Sequence, residues 1–294
     1  MRAALLATLL LGATGCTGAM NEYFAQDIVD IEHDINYAGD DNIRHTLDLY
    51  VPRGADKDVP IVVFIHGGFW MRRDKSYLEP ITGLYSNVGT ALARHGIAAA
   101  IIDYRLVPSV TFDDEFADVA QAIKWVQRRG EAHGVDASQI VIAGHSAGGH
   151  MTALAAFDHD RMAALGVDER SLRGFAPLSP ILDIPAFSVF STEDKDIANT
   201  VFGDDKEADS PSSYYARGAK PLLLLYGSDD LKEVYSQSAR AAIELEGLGL
   251  DIRAHELAGK DHDHVVLDFD TDDDAMTPLL ADFVFDVTET ASEN

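Results

Sequence analysis

Apolar and polar positions along the chain predict the first strands of a sheet. The segment 45–51 (HTLDLYV) alternates apolar and polar side chains, which predicts a half-buried strand that stops at Pro52. The segment 60–66 (PIVVFIH) is continuously apolar apart from its last residue, as expected of a strand covered on both faces. Because no helical stretch separates these two segments, the pattern predicts an antiparallel start to the sheet.

The remaining periodic segments predict strands and helices in alternation. Residues 114–129 place apolar side chains at helical spacing, and Gly130 follows as a stop signal. Further strands are expected at 96–106, 139–144, 172–178, 221–227 and 251–257, and further helices at 87–94, 146–157 and 231–249. Such alternation predicts the α/β class, with a mostly parallel central sheet and helices on both faces.

The segment 184–216 breaks this rhythm, because it is polar, interrupted and rich in aromatic residues. We expect it to form a small cap insertion over the carboxyl edge of the sheet, where open α/β sheets bind ligands. Five aromatic residues are candidates either for lining an acyl or aryl pocket there or for ordinary core packing: Trp70, Phe187, Phe190, Tyr214 and Tyr215.

The charge balance excludes some classes of partner. The chain of 294 residues has 23 Lys and Arg against 49 Asp and Glu, a formal net charge of −26. Nucleic acids and anionic membrane surfaces are polyanions, so neither is an expected partner. No internal repeat or low-complexity linker divides residues 27–294, which predicts a single domain.

The N-terminal residues have the pattern of an export signal. Arg2 precedes an apolar stretch at 3–15 that is too short to span a bilayer. It ends at Cys16, the only cysteine, in a pattern that resembles a bacterial lipobox, although Ala13 stands where Leu or Val is usual. We therefore expect a signal peptide at 1–16, a tether at 17–26 and an exported protein. It would be either a lipoprotein anchored to a bacterial membrane through Cys16 or a periplasmic or secreted protein.

A short motif in the middle of the chain predicts a nucleophilic serine. Residues 144–148 (GHSAG) follow a predicted strand and match G-x-S-x-G, the strand-to-helix turn that exposes a catalytic serine. The alternative is a serine that caps the helix after a glycine turn. A serine hydroxyl needs a base to take its proton, an acid to orient that base, and donors for the oxyanion. Ser146 therefore needs these three partners elsewhere in the chain.

The acid candidates follow the strand predicted at 221–227. Asp229 and Asp230 are adjacent, and the spacing of strand, Gly227, two residues and Asp favours Asp230. The alternative is that both aspartates only cap the following helix, where aspartate is common.

The base candidates lie just after the last predicted strand. His262 follows Gly259 by three residues, and His264 is its competitor. A metal site built from Asp261, His262, Asp263 and His264 is a further alternative. Alternating ligands in a tight loop rarely converge on one ion, so we expect no metal.

The segment HGGFW (66–70) is the candidate for the oxyanion hole. It follows the strand at 60–65, the position from which G-x-S-x-G hydrolases supply a backbone amide. Glycine allows the backbone to approach a substrate closely, so we expect Gly68 and Phe69 to donate N–H groups together with Ala147. His66 is expected to brace this loop rather than to catalyse.

These motifs together resemble the α/β-hydrolase superfamily. HGGFW, DYRLVP, GVDASQIVIAGHSAGGHMTALAA, YGSDD and the GKDH loop are similar to the branch that holds kynurenine formamidases, feruloyl-type esterases and carboxylesterases. The resemblance implies attack by Ser146, with His262 as base and Asp230 orienting it, and no cofactor. In that branch a Phe commonly follows the catalytic histidine, whereas here Asp263 follows His262.

The sequence thus predicts an exported serine hydrolase that cleaves short- or medium-chain acyl or aryl esters through an acyl-enzyme. The alternatives are an arylformamidase that hydrolyses an N-formylkynurenine-type amide, a feruloyl or acetyl-polysaccharide esterase, and a binding module that has lost its chemistry. The expected partner is a small ester or formamide, and the oligomeric state is left open.

Overall fold

One mixed sheet forms the centre of the molecule. The computed structural model describes residues 22, 25–55, 59–78 and 82–289. In these residues eight strands form one sheet in the order β1-β2-β4-β3-β5-β6-β7-β8. The strands are β1 (Val29–Asn36), β2 (Thr46–Pro52), β3 (Val59–Ile65), β4 (Ala98–Ile102), β5 (Val135–His145), β6 (Leu172–Leu178), β7 (Leu222–Gly227) and β8 (Ile252–Leu257). The strands β3 to β8 pair in parallel, whereas β2 is antiparallel to both of its neighbours.

Helices cover both faces of the sheet. In the described part of the chain they are α1 (Ser86–Arg94), α2 (Phe112–Arg129), α3 (Ala147–Phe157), α4 (His159–Ala164), α5 (Ile184–Phe187), α6 (Thr192–Phe202), α7 (Lys232–Gly247), α8 (His264–Leu267) and α9 (Met276–Glu289). Among the described residues, three short 3-10 helices lie at Gly130–His133, Glu169–Ser171 and Pro211–Arg217. The predicted α/β class is confirmed.

The alternation of side chains along β3 explains why there are two cores. Ile61, Val63 and Ile65 face a core that is completed by α2, α3 and α7. Val62 and Phe64 point the other way, into a core that α1 and α9 complete. Since successive strand residues point to opposite faces, a strand buried on both sides must be apolar throughout.

The start of the sheet differs from the prediction in its pairing. β2 is antiparallel, as predicted, but its neighbours are β1 and β4, and β3 pairs only with the parallel strands β4 and β5. The strand β1 was not predicted, because five of its eight residues are exposed and its sequence, VDIEHDIN, is acidic. Edge strands need little apolar character, so the hydrophobic pattern fails to mark them.

The segment predicted as a cap follows the carboxyl end of β6. It contains the helices α5 and α6 and runs into the 3-10 helix at Pro211–Arg217, before the chain returns to β7. At the other end of the domain, Ala25 is fully buried although it lies in the predicted tether. The predicted signal peptide and Cys16 lie outside the described residues. No described helix is both long enough and apolar enough to cross a bilayer.

Candidate active site

Ser146 occupies a strained turn between β5 and α3. Its backbone has φ 57° and ψ −115°, a conformation that L-residues rarely adopt, and the residue is partly exposed. The glycines around it are sterically required. A Cβ on Gly144 would lie 2.5 Å from the Gly148 carbonyl oxygen, and a Cβ on Gly148 would overlap the Ile65 carbonyl. The turn therefore presents a serine side chain at the carboxyl edge of the sheet.

The structure brings Ser146, His262 and Asp230 into one hydrogen-bonded chain. His262 Nε2 is 2.9 Å from Ser146 Oγ, and His262 Nδ1 is 2.7 Å from Asp230 Oδ1. Because an ionised carboxylate only accepts hydrogen bonds, Nδ1–H donates to Asp230 and Nε2 is left to accept from the serine hydroxyl. This is the arrangement in which a histidine can remove the proton of a serine.

Asp230 is held as an anion by several donors. Burial raises the pKa of its carboxyl, but hydrogen bonding and charge from His262, with donation from Ser179, lower the pKa below its ordinary value. Ser179 Oγ donates to Asp230 Oδ2 at 2.5 Å, and the Leu231 N–H donates to Oδ1 at 2.8 Å. The carboxylate is thus oriented on both oxygens.

The two competing candidates lie away from this chain. Asp229 is exposed, and its N–H donates to the Lys260 carbonyl. His264 is also exposed, and its Nδ1 is 2.7 Å from Asp261 Oδ1. That hydrogen bond raises the pKa of His264. Asp229 and His264 therefore have separate partners at the surface.

The alternative metal cluster at 261–264 does not form a cage. His262 turns inward to Ser146, whereas His264 pairs with Asp261 at the surface. Across the residues that the structure describes, no three His, Cys, Asp or Glu side chains are grouped so as to hold a metal ion.

His145, the residue before the serine, holds the loop that carries His262. Its Nε2 is 2.8 Å from the His262 carbonyl oxygen, so Nε2–H is the donor, and the two rings are 4.8 Å apart. His145 is fully buried. Burial, together with the positive charge that His262 takes up when protonated, lowers the pKa of His145 to about 3. His145 is therefore a neutral donor that links the turn at Ser146 to the loop of its base.

The loop after β3 lies directly against the serine turn. A Cβ on Gly67 would be 3.1 Å from Ser146 Cβ, a tighter contact than most side chains make, so glycine favours this approach. The Gly67 N–H donates to the Tyr85 hydroxyl at 2.9 Å and is not free for a substrate. Among the described residues, no protein acceptor takes the N–H of Gly68 or Phe69.

Ala147 is the third predicted oxyanion donor. It is the first residue of α3, so its N–H is one of those that the helix leaves unpaired at its N-terminus. Gly68 has φ +136°, and a Cβ there would overlap the Arg72 carbonyl oxygen. The loop thus keeps a glycine where the backbone doubles back beside the serine turn.

His66 lies inside this loop rather than at the site surface. It is fully buried, and its Nδ1–H donates to the Gly67 carbonyl at 2.7 Å. Its ring stacks on Tyr104 at 4.3 Å, and the Tyr104 hydroxyl donates to the His66 carbonyl at 2.8 Å. Its Nε2 lies 3.3 Å from Asp103 Oδ1 without an aligned hydrogen bond. These contacts suit a bracing residue.

Of the two alternatives for Trp70 and Phe187, a pocket lining or core packing, the structure shows core packing. Their side chains are only 1% and 2% exposed. The Trp70 ring packs edge-on against Phe187 and Phe202, and its Nε1–H donates to His150 Nδ1 at 3.2 Å. His150 in turn donates from Nε2 to the Asp209 carbonyl at 2.7 Å. Trp70 thus ties the loop after β3 to the cap.

The other predicted pocket aromatics divide between surface and core. Tyr215 is buried and packs on Phe157 at 4.8 Å, whereas Phe190 is 45% exposed. Tyr214 is partly buried, and its hydroxyl donates to the Ala208 carbonyl at 2.8 Å inside the cap. The contacts of Tyr214 and Tyr215 bind cap and core to each other, and none of them joins Ser146.

Three residues of the site were missed by the sequence analysis. They are Ser179 on Asp230, Tyr85 on Gly67 and His145 on His262. Only Ser179 carried a sequence signal, because it is the polar residue directly after the strand β6, at the carboxyl edge of the sheet.

Comparison with known proteins gives the same picture. A probable isoprenylcysteine alpha-carbonyl methylesterase of Oryza sativa subsp. japonica is 28% identical over 244 residues, 77% of this chain and 57% of that protein. A kynurenine formamidase of Drosophila melanogaster is 32% identical over 110 residues, 37% of this chain and 34% of that protein. An inhibited esterase B from Lactobacillus rhamnosis has the same fold, with TM-score 0.77, 20% identity and coverage of 100% of this chain and 99% of that one.

The chain spans little more than half the length of the rice relative. The family model BD-FAE matches residues 47–245, which is more than half of the chain and includes the loop after β3, the serine turn and Asp230. The chain therefore belongs to the BD-FAE family and is an α/β-hydrolase of the HGGxW type.

Proposed function

We propose that the protein is a serine hydrolase that cleaves carboxylic esters with short or medium acyl chains or aryl groups. The observation that carries the proposal is the hydrogen-bonded chain of Ser146, His262 and Asp230 on a strained strand-to-helix turn. The rice methylesterase and the esterase B structure support ester chemistry in proteins of similar sequence or fold.

The proposed reaction begins with proton transfer to His262. Ser146 Oγ forms a bond to the ester carbonyl carbon while His262 Nε2 takes the hydroxyl proton, and Asp230 stabilises the resulting imidazolium. The carbonyl oxygen becomes an oxyanion, which we expect the N–H groups of Gly68, Phe69 and Ala147 to bind. Such preorganised donors act where negative charge develops, and each contributes about 3 kcal/mol in comparable enzymes.

The second half of the reaction reverses the roles. The tetrahedral intermediate expels the alcohol, which receives its proton from His262, and an acyl group remains on Ser146. Water then loses a proton to His262 and attacks the acyl carbon. Collapse of this second intermediate releases the carboxylic acid and returns the proton to Ser146. Every step uses a group of this chain or water.

Arylformamidase activity is the second candidate. The Drosophila kynurenine formamidase supports it, because it is 32% identical to this chain over 110 residues. The same residues would attack a formamide carbonyl, with His262 protonating a departing amine instead of an alcohol. The two activities differ only in the leaving group, so paired substrates decide between them.

We also propose that the protein is exported and that Cys16 carries a lipid anchor. The apolar stretch before Cys16 and its lipobox-like ending support this location. A Cys16→Ala variant of the full chain should leave the membrane fraction of a bacterial host. A variant that stays with the membranes would contradict the anchor.

Hydrolysis of short-chain p-nitrophenyl esters beside a Ser146→Ala control tests the proposed chemistry. Loss of a triad member typically costs ~10⁴-fold or more in rate, so we expect turnover to vanish in the variant. N-formylkynurenine, feruloyl esters and acetylated polysaccharides follow as candidate substrates. Equal turnover in the two proteins would contradict the proposal.

A further inference from the structure

Arg73 places a positive charge between the two loops of the active site. Its Cβ would be 3.2 Å from a Cβ on Gly68, in the loop that offers the oxyanion donors. Its Nη1 is 3.9 Å from Asp263 Oδ1, directly after His262 in the chain. The side chain is 24% exposed, so a substrate can reach it. Few cations are available for such a position in a chain with a net charge of −26.

The backbone around Arg73 is held in place from three sides. The Arg73 carbonyl accepts a hydrogen bond of 2.6 Å from Arg44 Nη1. Two residues later, the Lys75 N–H donates to Asp103 at 2.7 Å, and Lys75 Nζ is 2.8 Å from Asp48. Because these anchors are on β2, its preceding turn and the end of β4, the loop after β3 is tied to the sheet.

The conformation of Arg73 carries a cost that this anchoring must offset. Its φ is +73°, in the left-handed region, where a residue other than glycine is strained by about 1–3 kcal/mol. Its guanidinium carbon lies 4.9 Å from the centre of the Tyr77 ring, a distance at which the ring attracts the cation. The side chain is thus oriented before any substrate arrives.

Pairing with Asp263 does not account for this arrangement. At 3.9 Å the ion pair is long, and Asp263 is 57% exposed, so the pair is worth about 0–1 kcal/mol at most. That gain does not exceed the backbone strain. Arg73 also interacts with Tyr85: burial raises the pKa of the Tyr85 hydroxyl, whereas the charge of Arg73 and a hydrogen bond with its side chain lower that pKa. Tyr85 receives the Gly67 N–H, so Arg73 lies close to the centre of the site.

We propose that Arg73 forms an anion subsite and that the preferred substrates are esters carrying a carboxylate a few atoms from the scissile carbonyl. This inference rests on the proposed ester hydrolysis. A guanidinium has five N–H donors in a planar fork that matches a carboxylate, and a substrate carboxylate would displace the weakly held Asp263. The carboxylate belongs to either the acyl or the alcohol part of the ester, and the test below separates these cases.

Two pairs of esters measure the charge preference, defined as kcat/KM for the anionic ester divided by kcat/KM for its neutral amide counterpart. The alcohol-side pair is 4-acetoxybenzoate and 4-acetoxybenzamide. The acyl-side pair is monophenyl terephthalate and phenyl 4-carbamoylbenzoate. The members of a pair have nearly the same size, and comparing one protein with another cancels their different intrinsic reactivities.

We expect Arg73→Gln to lower the charge preference about tenfold in one of the two pairs, which corresponds to ~1.4 kcal/mol. Arg73→Lys should retain part of it, because a lysine keeps the charge without the planar fork. Arg72→Gln is the matched control: it removes the same charge from the neighbouring exposed residue, whose side chain lies over Phe69 at 5.2 Å. This control should change the preference less than about twofold, since exposed charges are well screened.

An unchanged charge preference in Arg73→Gln, in both pairs, would overturn the subsite, whatever the loss in absolute rate. If that variant fails to fold, the salt dependence of the wild type provides the test. Its charge preference should decrease when the NaCl concentration is raised, and a salt-independent preference would overturn the proposal. Failure of the ester-hydrolase proposal looks different. In that case all four esters would resist the wild type, or Ser146→Ala would hydrolyse them equally fast.

Discussion

Replacing His145 should impair catalysis without touching any reacting atom. The imidazole Nε2–H donates at 2.8 Å to the carbonyl of His262, whose ring spans 2.9 Å to Ser146 and 2.7 Å to Asp230. In His145→Leu the leucine fills the buried space but leaves that carbonyl without its donor. Leaving this partly buried acceptor unpaired costs up to about 3 kcal/mol, and a displacement of about 1 Å in a catalytic group costs up to ~10²-fold in rate.

The matched control is His145→Gln. The Gln side-chain nitrogen is three bonds from Cβ, as Nε2 of histidine is, so glutamine can restore the donor. We expect His145→Leu to lower kcat for p-nitrophenyl butyrate about 10- to 100-fold with a smaller change in KM. The His145→Gln variant should keep most of the wild-type kcat. Thermal melts measure the effect on stability, because each kcal/mol lost from the free energy of unfolding lowers the Tm by about 2–4 °C.

Two results would refute this reasoning about His145. Equal losses of kcat in the Leu and Gln variants would mean that the ring, and not the hydrogen bond, is required. An unchanged kcat in His145→Leu, accompanied by a lower melting temperature, would mean that the hydrogen bond stabilises the fold but does not position His262.

Three further outcomes follow from buried groups. Ser179→Ala removes a hydrogen-bond donor from Asp230, so the pKa of that carboxyl should rise. We expect kcat to fall about tenfold and the acid limb of the kcat–pH profile to move to higher pH. An acid limb that does not move would contradict this prediction. Burial raises the pKa of Glu115 from 4.5 to about 9, so the unfolded chain releases this proton before the folded one does. Stability should therefore fall as pH rises between these values, by up to about 1.4 kcal/mol per unit, and the melting-temperature advantage of Glu115→Gln should grow from about pH 5 to about pH 8; a constant difference would refute it. Gly148→Ala introduces a Cβ that overlaps a backbone carbonyl and should cost about 1–3 kcal/mol or more, whereas Gly247→Ala, which meets no atom within 4 Å, should be neutral or stabilising in the same melts.

Local patterns predicted the elements that hold the site, because strand burial and the serine turn are properties of short segments. The run at 60–66 is apolar since both faces of β3 are covered, and Gly144 and Gly148 are required by the turn itself. The pairing of the edge was not predictable in this way. Whether β2 lies beside β3 or β4 depends on the lateral order of the strands in the sheet. The hydrophobic pattern of adjacent segments does not determine that order.

The side-chain contacts of the site could not be predicted where the partner lies far away in the sequence. The large apolar ring of Trp70 indicates that this residue packs against other side chains. Its partner Phe202, however, lies far along the chain in the cap, so the local sequence does not identify it. Ser179 and Tyr85 gain their roles only through contacts with Asp230 and Gly67 across the fold. A polar residue at the carboxyl end of a strand is therefore a candidate site residue, and only the tertiary packing shows what it contacts.

Reaction with a 4-nitrophenyl phosphonate, followed by mass spectrometry of the peptide that contains Ser146, tests the central claim most directly. Such a phosphonate modifies a serine that a neighbouring base activates. We expect one phosphonyl group on Ser146 in the wild type, loss of labelling in His262→Ala, and protection by a slowly hydrolysed ester. An unlabelled Ser146, or equal labelling in His262→Ala, would contradict the claim that His262 activates this serine.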